Sequence, residues 1–149
     1  MSPPTTVVAN PSAPLSESDV TLHKLKSIFD AAYIKAEFDS DGDLKIEDNG
    51  FKTFVQIDRD KGLIIFFAIW AMKASVPEIK RLKLVNTLNN DLIFVRFCMP
   101  RPTTLWCDYQ FLFEGGITPF TIVHNYRLFA KVTKGAVATQ DPEDIIGSD

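Results

Sequence analysis

The sequence predicts an α+β fold, in which an antiparallel β-sheet is flanked by helices in the order α-β-β-β-α-β-β-α. Two kinds of pattern predict this class. Three segments repeat apolar residues at helical spacing, and the segments between them are short apolar runs broken by Asp-Gly, Asn-Gly and Lys-Gly turns. The length of 149 residues and the 46% hydrophobic content suit one domain with a sizeable core.

The first predicted helix runs from Asp19 to Tyr33. Its apolar residues recur at helical spacing, and Ser16 or Ser18 offers the first amides a side-chain acceptor. A series of short runs follows, separated by turn signals: "KAEF", "LKIED", "FKTFVQID" and "LIIFFAIWAMK". Such runs with glycine-containing turns predict an antiparallel meander.

The second half of the chain is predicted to form a helix, a hairpin and a last helix. Ser75 and Glu78 have the spacing of a capping box, and Pro77 suits the first turn of a helix. The runs "LIFVRFCM" and "LWCDYQFLFE", joined by "PRPTT", predict the hairpin. The last helix is predicted to open at Pro119, with Thr118 as its cap.

The ends of the chain differ in composition from its centre. Residues 1–15 are predicted to be a disordered leader, residues 16–137 the folded domain and residues 138–149 a polar tail. The net charge of −3 and the pI near 5.4 lack the basic excess that binding to nucleic acid or an anionic membrane uses. The start lacks the pattern of a signal peptide, and the longest apolar run, Gly62–Met72, is shorter than the roughly 20 residues of a spanning helix. We therefore expect a soluble cytoplasmic protein with no nucleic-acid or membrane partner.

The most acidic stretch, "EFDSDGDLKIEDNG", raises a choice between a calcium loop and a turn. Counted from Asp39, an EF-hand loop would have Asp41 and Asp43 at positions 3 and 5, but Leu44 replaces the glycine at 6 and Gly50 the glutamate at 12. Asp-Gly between short strand-like runs is a strong hairpin signal. The stretch is predicted to be a hairpin turn, and a weak metal site is the alternative.

No other motif predicts catalysis or a cofactor. His23 and His124 lie on predicted helices far apart in sequence and have no Cys or carboxylate at a recognised ligand spacing. The "EGGITP" stretch resembles an anion cradle, but no P-loop lysine follows it, which favours a tight strand-to-helix turn. The basic segment Lys80–Lys83 is predicted to be a solvated helix face. We therefore predict no catalytic, metal-binding or cofactor-binding residue and no enzymatic activity.

The two cysteines are predicted to lie on opposite faces of the hairpin. In "IFVRFCM" the more apolar set contains Phe97 and leaves Cys98 on the other face, and in "CDYQFLF" the apolar set contains Cys107. Since the apolar sets of neighbouring strands share the core, Cys107 is expected inside and Cys98 on the opposite face, where no disulfide can join them. Reduced thiols also agree with a cytoplasmic location.

One predicted strand breaks the alternation of apolar and polar residues. Both faces of "LIIFFAIWAM" are apolar, whereas its neighbours keep polar residues on their outer set, namely Lys52, Gln56, Asp58, Arg96, Asp108 and Gln110. An apolar centre with a polar rim predicts a symmetric homodimer through this sheet face or the adjoining second helix. The predicted interface residues are Ile64, Phe66, Trp70 and Met72. The alternative is that the first or last helix covers this second face.

The stretches "AEFDSDGDLKIEDNGFKTFVQID", "LKLVNTLNNDLIFVRF" and "DYQFLFEGGITPFTIVHNYRLFAKV" resemble the YbjN family of bacterial sensory transduction regulators. The likeness spans about Leu22 to Val137. It implies the fold of type III secretion chaperones, with "DGDL" as a hairpin, and no established active site. It also implies a non-enzymatic, chaperone-like or regulatory module that binds a protein partner and forms homodimers. A small-ligand or metal sensor that uses the acidic turn is the alternative function.

Overall fold

The structure, a computed structural model, describes residues 13–149. It contains a six-stranded antiparallel sheet and three α-helices, preceded by a short 3-10 turn at Glu17–Asp19. Within the described range, no helix has the length and apolar character that crossing a membrane requires. The helices are α1 Leu22–Ala31, α2 Glu78–Asp91 and α3 Pro119–Thr139. The strands are β1 Ala36–Phe38, β2 Leu44–Asp48, β3 Phe51–Asp58, β4 Leu63–Ala71, β5 Arg96–Arg101 and β6 Thr104–Leu112.

The element order confirms the predicted α+β fold, and each of the four runs of the predicted meander is a strand, which is one strand more than the order α-β-β-β-α-β-β-α contains. Strands β1 to β4 form the meander, α2 follows, β5 and β6 form the hairpin, and α3 comes last. The additional strand is β1, whose Ala36 and Phe38 pair with Ile46 and Leu44 of β2 across the acidic turn. It is short because its run, "KAEF", is followed at once by the turn.

The strands lie in the order β1-β2-β3-β4-β6-β5. Strand β6 pairs with β4 along its whole length, from Leu112 opposite Leu63 to Thr104 opposite Ala71. Helix α2 lies along the outer edge of β5. There the side-chain amide of Asn89 donates to the carbonyl oxygen of Phe97 at 2.9 Å, and the main-chain amide of Phe97 donates to Asn89 Oδ1 at 2.8 Å.

The hydrophobic core lies between one face of the sheet and helices α1 and α3. The rings of Phe29 from α1 and Phe129 from α3 both lie with their centroids 6.1 Å from that of Phe66 in β4. Tyr126 of α3 approaches the same phenylalanine edge-on at 6.0 Å. All four side chains are buried. Burial of one such side chain contributes roughly 1.5–3 kcal/mol, so these aromatic contacts bind both helices firmly to the sheet.

The first helix begins later than predicted, and a different residue caps it. The side chain of Thr21 accepts from the main-chain amide of Lys24 at 3.1 Å, so neither Ser16 nor Ser18 is the cap of α1. Ser16 instead precedes the 3-10 turn, and its hydroxyl donates to the carboxylate of Asp19 at 2.9 Å. The extra turn separates the predicted cap from the helix that it was expected to start.

The other two helix starts have different outcomes. Thr118 caps α3 as predicted, since its hydroxyl accepts from a main-chain amide of the first turn at 3.1 Å. The predicted capping box at Ser75 does not form, and Pro77 is the N-cap of α2. The hydroxyl of Ser75 instead donates to the carboxylate of Asp149, at the end of the chain.

Residues near both ends of the described range belong to the fold. Leu15, which the prediction places in the leader, is buried and forms an antiparallel bridge with Ile117. In the predicted polar tail, Ile145 is buried and its carbonyl oxygen accepts from the main-chain amide of Lys73 at 2.9 Å. The tail therefore extends the sheet locally beside the end of β4.

Candidate functional site

The residues predicted for the interface lie on the helix-covered face of the sheet. Ile64, Phe66 and Met72 are buried in the core, and Trp70 is half-buried. The residue assignment is therefore corrected, because α1 and α3 fold over this set of side chains and take the surface that a second protein would need. This is the arrangement that the sequence analysis left open as its alternative.

The opposite face of the sheet carries apolar side chains that stay accessible to solvent. We call it the open face, and it is formed by the outward-pointing residues of β3, β4 and β6, since alternate residues of a strand point to opposite faces. Ile69 is 47% exposed and Leu112 is 62% exposed. The apolar members of the open face are Phe54, Leu63, Ile65, Phe67, Ile69, Trp106 and Leu112.

Aromatic rings from three strands form a stack at the centre of the open face. Phe54 and Phe67 are directly opposite in the register of β3 and β4, and their centroids are 5.1 Å apart with an angle of 18° between the rings. Phe67 and Trp106 lie 4.3 Å apart at 10°. The two outer rings shield Phe67, which is only 7% exposed. The three rings together form one stacked apolar row across three strands, which we call the platform.

A charged network holds the edge of this platform in place. Arg96 donates to both carboxylate oxygens of Asp108, from Nε at 3.1 Å and from Nη2 at 2.6 Å. The indole Nε1 of Trp106 donates to the same carboxylate at 2.7 Å. The hydrogen bonds and the negative charge of Asp108 raise the pKa of Arg96 above its ordinary value. Because the carboxylate is nearly fully buried and its oxygens accept from these donors, the network fixes the orientation of the indole.

Polar side chains surround the platform, as the sequence predicts. Lys52, Gln56 and Asp58 point outward from β3, and Gln110 points outward from β6. The predicted apolar centre with a polar rim is therefore present, although its centre is built from the other set of β4 residues. The aromatic stack was missed, and the signal for it was an aromatic residue at an outward position on each of three neighbouring strands.

The acidic turn is a hairpin, which confirms the prediction for this stretch. It joins β1 to β2, and Oδ1 of Asp39 accepts from the main-chain amides of Asp41 and Asp43, each at 2.9 Å. Gly42 has a φ of 82°, a conformation that favours glycine. The carboxylate of Asp39 thus organises the turn itself. Within residues 13–149, no group of three or more His, Cys, Asp or Glu side chains is placed to hold a metal ion.

The glycine-rich stretch before α3 is a tight turn, as predicted, and its amide binds a carboxylate of the chain itself. The main-chain amide of Gly115 donates to Oε1 of Glu17 at 2.6 Å. Gly116 has a φ of 105°, and a Cβ at this position would lie 2.9 Å from the carbonyl oxygen of Leu15. The second glycine is therefore required by the close approach of the N-terminal segment.

Each histidine packs against an aromatic ring. The centroid of His23 lies 4.7 Å from that of Phe38, and His124 lies parallel to Phe120 at 5.4 Å. Both histidines are exposed, and neither imidazole belongs to the open face.

The cysteines lie on opposite faces of the sheet, which confirms the predicted register. Phe97 pairs with Cys107 and Cys98 pairs with Trp106, and both cysteines are free. Cys107 is buried, and its sulfur lies 3.7 Å from the hydroxyl of Thr133 in α3. Burial raises the pKa of the Cys107 thiol to about 12, so this group is a neutral part of the core at neutral pH. Cys98 lies half-buried on the open face beside the aromatic platform.

Solved structures of other proteins share the fold of this chain. Its sheet and helices superpose on the structure described as the HopA1-SchA chaperone-effector complex with a TM-score of 0.55 and 15% identity, covering 82% of this chain and 97% of that chain. The type III secretion chaperone SycH of Yersinia pestis, in complex with a fragment of YscM2, matches with a TM-score of 0.46 and 12% identity, covering 80% and 97%. The TM-score of 0.55 shows that the chain shares the α+β fold of the HopA1-SchA structure.

The family follows from the sequence. The model of the YbjN family, "Putative bacterial sensory transduction regulator", matches residues 21–138, and the chain belongs to this family. The crystal structure of YbjN from E. coli, described as "a putative transcription regulator", superposes with a TM-score of 0.71 and 10% identity, covering 85% of this chain and 96% of that chain. No curated protein matches the sequence. At 10–15% identity these structures share a fold with the chain, and their functions do not transfer with it.

Proposed function

We propose that this protein is a non-enzymatic protein-binding module of a chaperone-like or regulatory kind, which works in the cytoplasm and binds its partners through the open face. One observation carries the proposal: the three-ring platform has the exposed Ile69 beside it, and the outward apolar residues of β4 continue from there to the exposed Leu112 at the other end of the strand. Membership of a regulator family and a fold shared with a chaperone-effector complex support this choice. Two free cysteines agree with a reducing compartment.

The shape of the open face favours a protein over a small ligand. Small-molecule sites are concave and enclose most of the ligand, whereas a flat sheet face offers contact from one side only. Three strands spaced about 4.8 Å apart, over about six residues of 3.3 Å each, give a face of roughly 300 Å² that holds the apolar centre and part of its polar rim. Exposed patches of a few hundred Å² with polar rims are typical of protein interfaces.

A second copy of the chain is the partner that the rim itself suggests. Lys52 and Asp58 point outward at opposite ends of β3, about 20 Å apart at 3.3 Å per residue. Suppose that two open faces stack on each other, with a two-fold axis between them that runs perpendicular to the strands. This axis reverses the strand direction in the second copy and so places each lysine near the aspartate of the other copy. The footprint is smaller than the roughly 800 Å² per partner of a standard interface, so we expect a weak dimer that dissociates at low micromolar concentration.

Sedimentation across the micromolar range tests the homodimer. We expect the wild-type mass to rise toward twice 16.7 kDa with concentration, and Ile69→Lys or Leu112→Glu to hold the protein as a monomer. Ile79→Lys is the matched control, because Ile79 is also exposed but lies on α2. Loss of dimer in the Ile79 variant alone would move the interface to the second helix. A wild-type monomer throughout the range would contradict the homodimer.

The charge pattern gives a sharper test of the same interface. Lys52→Glu and Asp58→Lys should each weaken the dimer, and the double variant should restore it, because the two-fold arrangement exchanges the two charges. Circular dichroism must show that each variant is folded, since Asp58 Oδ1 also accepts from the amide of Lys61 at 3.0 Å. A double variant that dimerises no better than either single one would exclude this orientation.

A protein partner other than a second copy would use the same surface. Affinity capture with the wild type and with Ile69→Lys, run side by side from native lysate, distinguishes specific partners. We expect a partner that is retained by the wild type and lost by the variant. Partners that bind both forms equally would show that the open face is not the binding surface.

A further inference from the structure

Tyr33 occupies a position that neither its backbone nor its packing explains. It follows α1 with a φ of 61°, and the amide of Ile34 donates past it to the carbonyl oxygen of Phe29 at 2.9 Å. Glycine is the usual residue at this left-handed helix end, since a Cβ is unfavourable there. The side chain of Tyr33 is 99% exposed and adds almost nothing to the core. A bulky residue kept in an unfavourable conformation with an exposed ring indicates a role outside folding.

Tyr33 stands at the rim of a cleft of about 500 Å³. The cleft lies between the turn after α1, the end of β2 and the exposed side of α3. It shares no residue with the open face. Its volume is in the range of about 300–1,000 Å³ that holds small molecules.

The cleft carries more positive than negative charge although the chain as a whole carries −3, since four cations and the two carboxylates of Glu47 and Asp48 line it. Every charged residue of α3 is basic, and Arg127, Lys131 and Lys134 all line the cleft together with Lys35 of the turn. Their spacing of four and three residues places the α3 cations on one side of the helix. A local excess of cations in a cleft raises the concentration of anions there.

Two of these cations have no acidic partner in the part of the chain that the structure describes. Lys134 pairs with Asp48 at 2.9 Å and Lys35 pairs with Glu37 at 3.0 Å. Among residues 13–149, no carboxylate lies within ion-pair distance of Arg127 or Lys131. The guanidinium of Arg127 donates only to the carbonyl oxygen of Ala32 at 3.5 Å, at the end of α1. These two groups are therefore free to bind a ligand beside the ring of Tyr33.

We propose that the cleft binds an anionic ligand with a planar ring, of the nucleotide class. Arg127 and Lys131 bind the phosphate oxygens, because guanidinium and ammonium groups form charge-assisted hydrogen bonds to phosphate. The exposed ring of Tyr33 stacks on the base, an interaction that every base supports through its π face. This function is independent of the open face and would make the protein responsive to a small molecule.

Calorimetric titration with ATP and with inorganic tripolyphosphate at low ionic strength tests the site. We expect both to bind, ATP more tightly, because tripolyphosphate has the charges without the ring. Arg127→Ala and Lys131→Ala should weaken both ligands by about threefold or more, as expected for loss of one exposed ion pair. Lys83→Ala, a lysine on α2 outside the cleft, is the control that should change neither.

Tyr33→Gly separates this role from a structural one. Relief of the left-handed conformation should raise the melting temperature, while the preference for ATP over tripolyphosphate is lost. A role in folding alone would lower the melting temperature and leave the preference unchanged, and this result would overturn the assignment of the ring. The absence of binding by both ligands at millimolar concentration, or equal binding by the wild type and the Lys131 variant, would overturn the site.

Discussion

The side chain of Asn89 closes the outer edge of the sheet at β5, and its replacement tests this role. Strand β5 pairs with β6 on one side only, and its other edge exposes main-chain groups that could pair with another chain. The side-chain amide of Asn89 takes the place of a neighbouring strand by bonding both the amide and the carbonyl group of Phe97. We predict that Asn89→Ala destabilises the domain and opens this edge.

The size of the effect follows from the bonds lost. Two hydrogen bonds at about 1 kcal/mol each are removed, and alanine returns about 0.5 kcal/mol of helix propensity, for a net loss near 1.5 kcal/mol. Asn90→Ala is the matched control, since it makes the same substitution at the next position of α2. The side chain of Asn90 is exposed and bonds only to the neighbouring Asp91, so its replacement should change the free energy of unfolding by less than about 0.5 kcal/mol.

Urea unfolding followed by circular dichroism measures both variants, and hydrogen exchange reports the edge directly. We expect a lower midpoint for Asn89→Ala with an unchanged slope, and faster exchange at the amide of Phe97. Equal midpoints for the two variants, or an unchanged exchange rate at Phe97, would refute the proposed closure of the edge by Asn89.

Further predictions concern the two cysteines, the acidic turn and the tail. Burial raises the pKa of Cys107 to about 12, so the thiol of the unfolded chain ionises at a lower pH than that of the folded protein. The free energy of unfolding should therefore fall between about pH 9 and 12, and this fall should be smaller in Cys107→Ala than in the wild type. Native Cys98 should react with a thiol reagent well before Cys107, and equal rates would contradict the assigned faces. Calcium should leave the melting temperature unchanged. In thermal unfolding, Asp39→Ala should destabilise the hairpin by about 1 kcal/mol, because the side chain of Asp39 accepts two main-chain hydrogen bonds, whereas Asp41→Ala should not destabilise it. Ile145→Ala should lower the free energy of unfolding by about 2 kcal/mol or more in urea, and a smaller change than 0.5 kcal/mol would show that the tail does not stabilise the domain.

Part of the candidate site could be predicted from the sequence. The alternation along β3 and β6 identifies Lys52, Gln56 and Gln110 as outward residues, and the structure has them on the rim of the open face. The same alternation fails for β4, because both of its residue sets are apolar and either could face the helices. The interface was therefore assigned to the set containing Phe66, whereas Phe67 and its neighbours are outside.

Local signals in the sequence determined the elements and their turns. Asp39 and Gly42 define the first hairpin, Thr118 starts α3, and the alternation of apolar residues sets the register of the two cysteines, because each of these features depends on residues close together in the chain.

The tertiary structure alone decided which surfaces remain free. The side of β4 that is exposed depends on where α1 and α3 pack, and the strand pattern is the same for either choice. The closure of β5 by Asn89 and the basic cleft at Tyr33 also join residues from different elements. Such juxtapositions arise from long-range packing, since the free energy that selects them comes from burying the whole helix layer rather than from any local sequence.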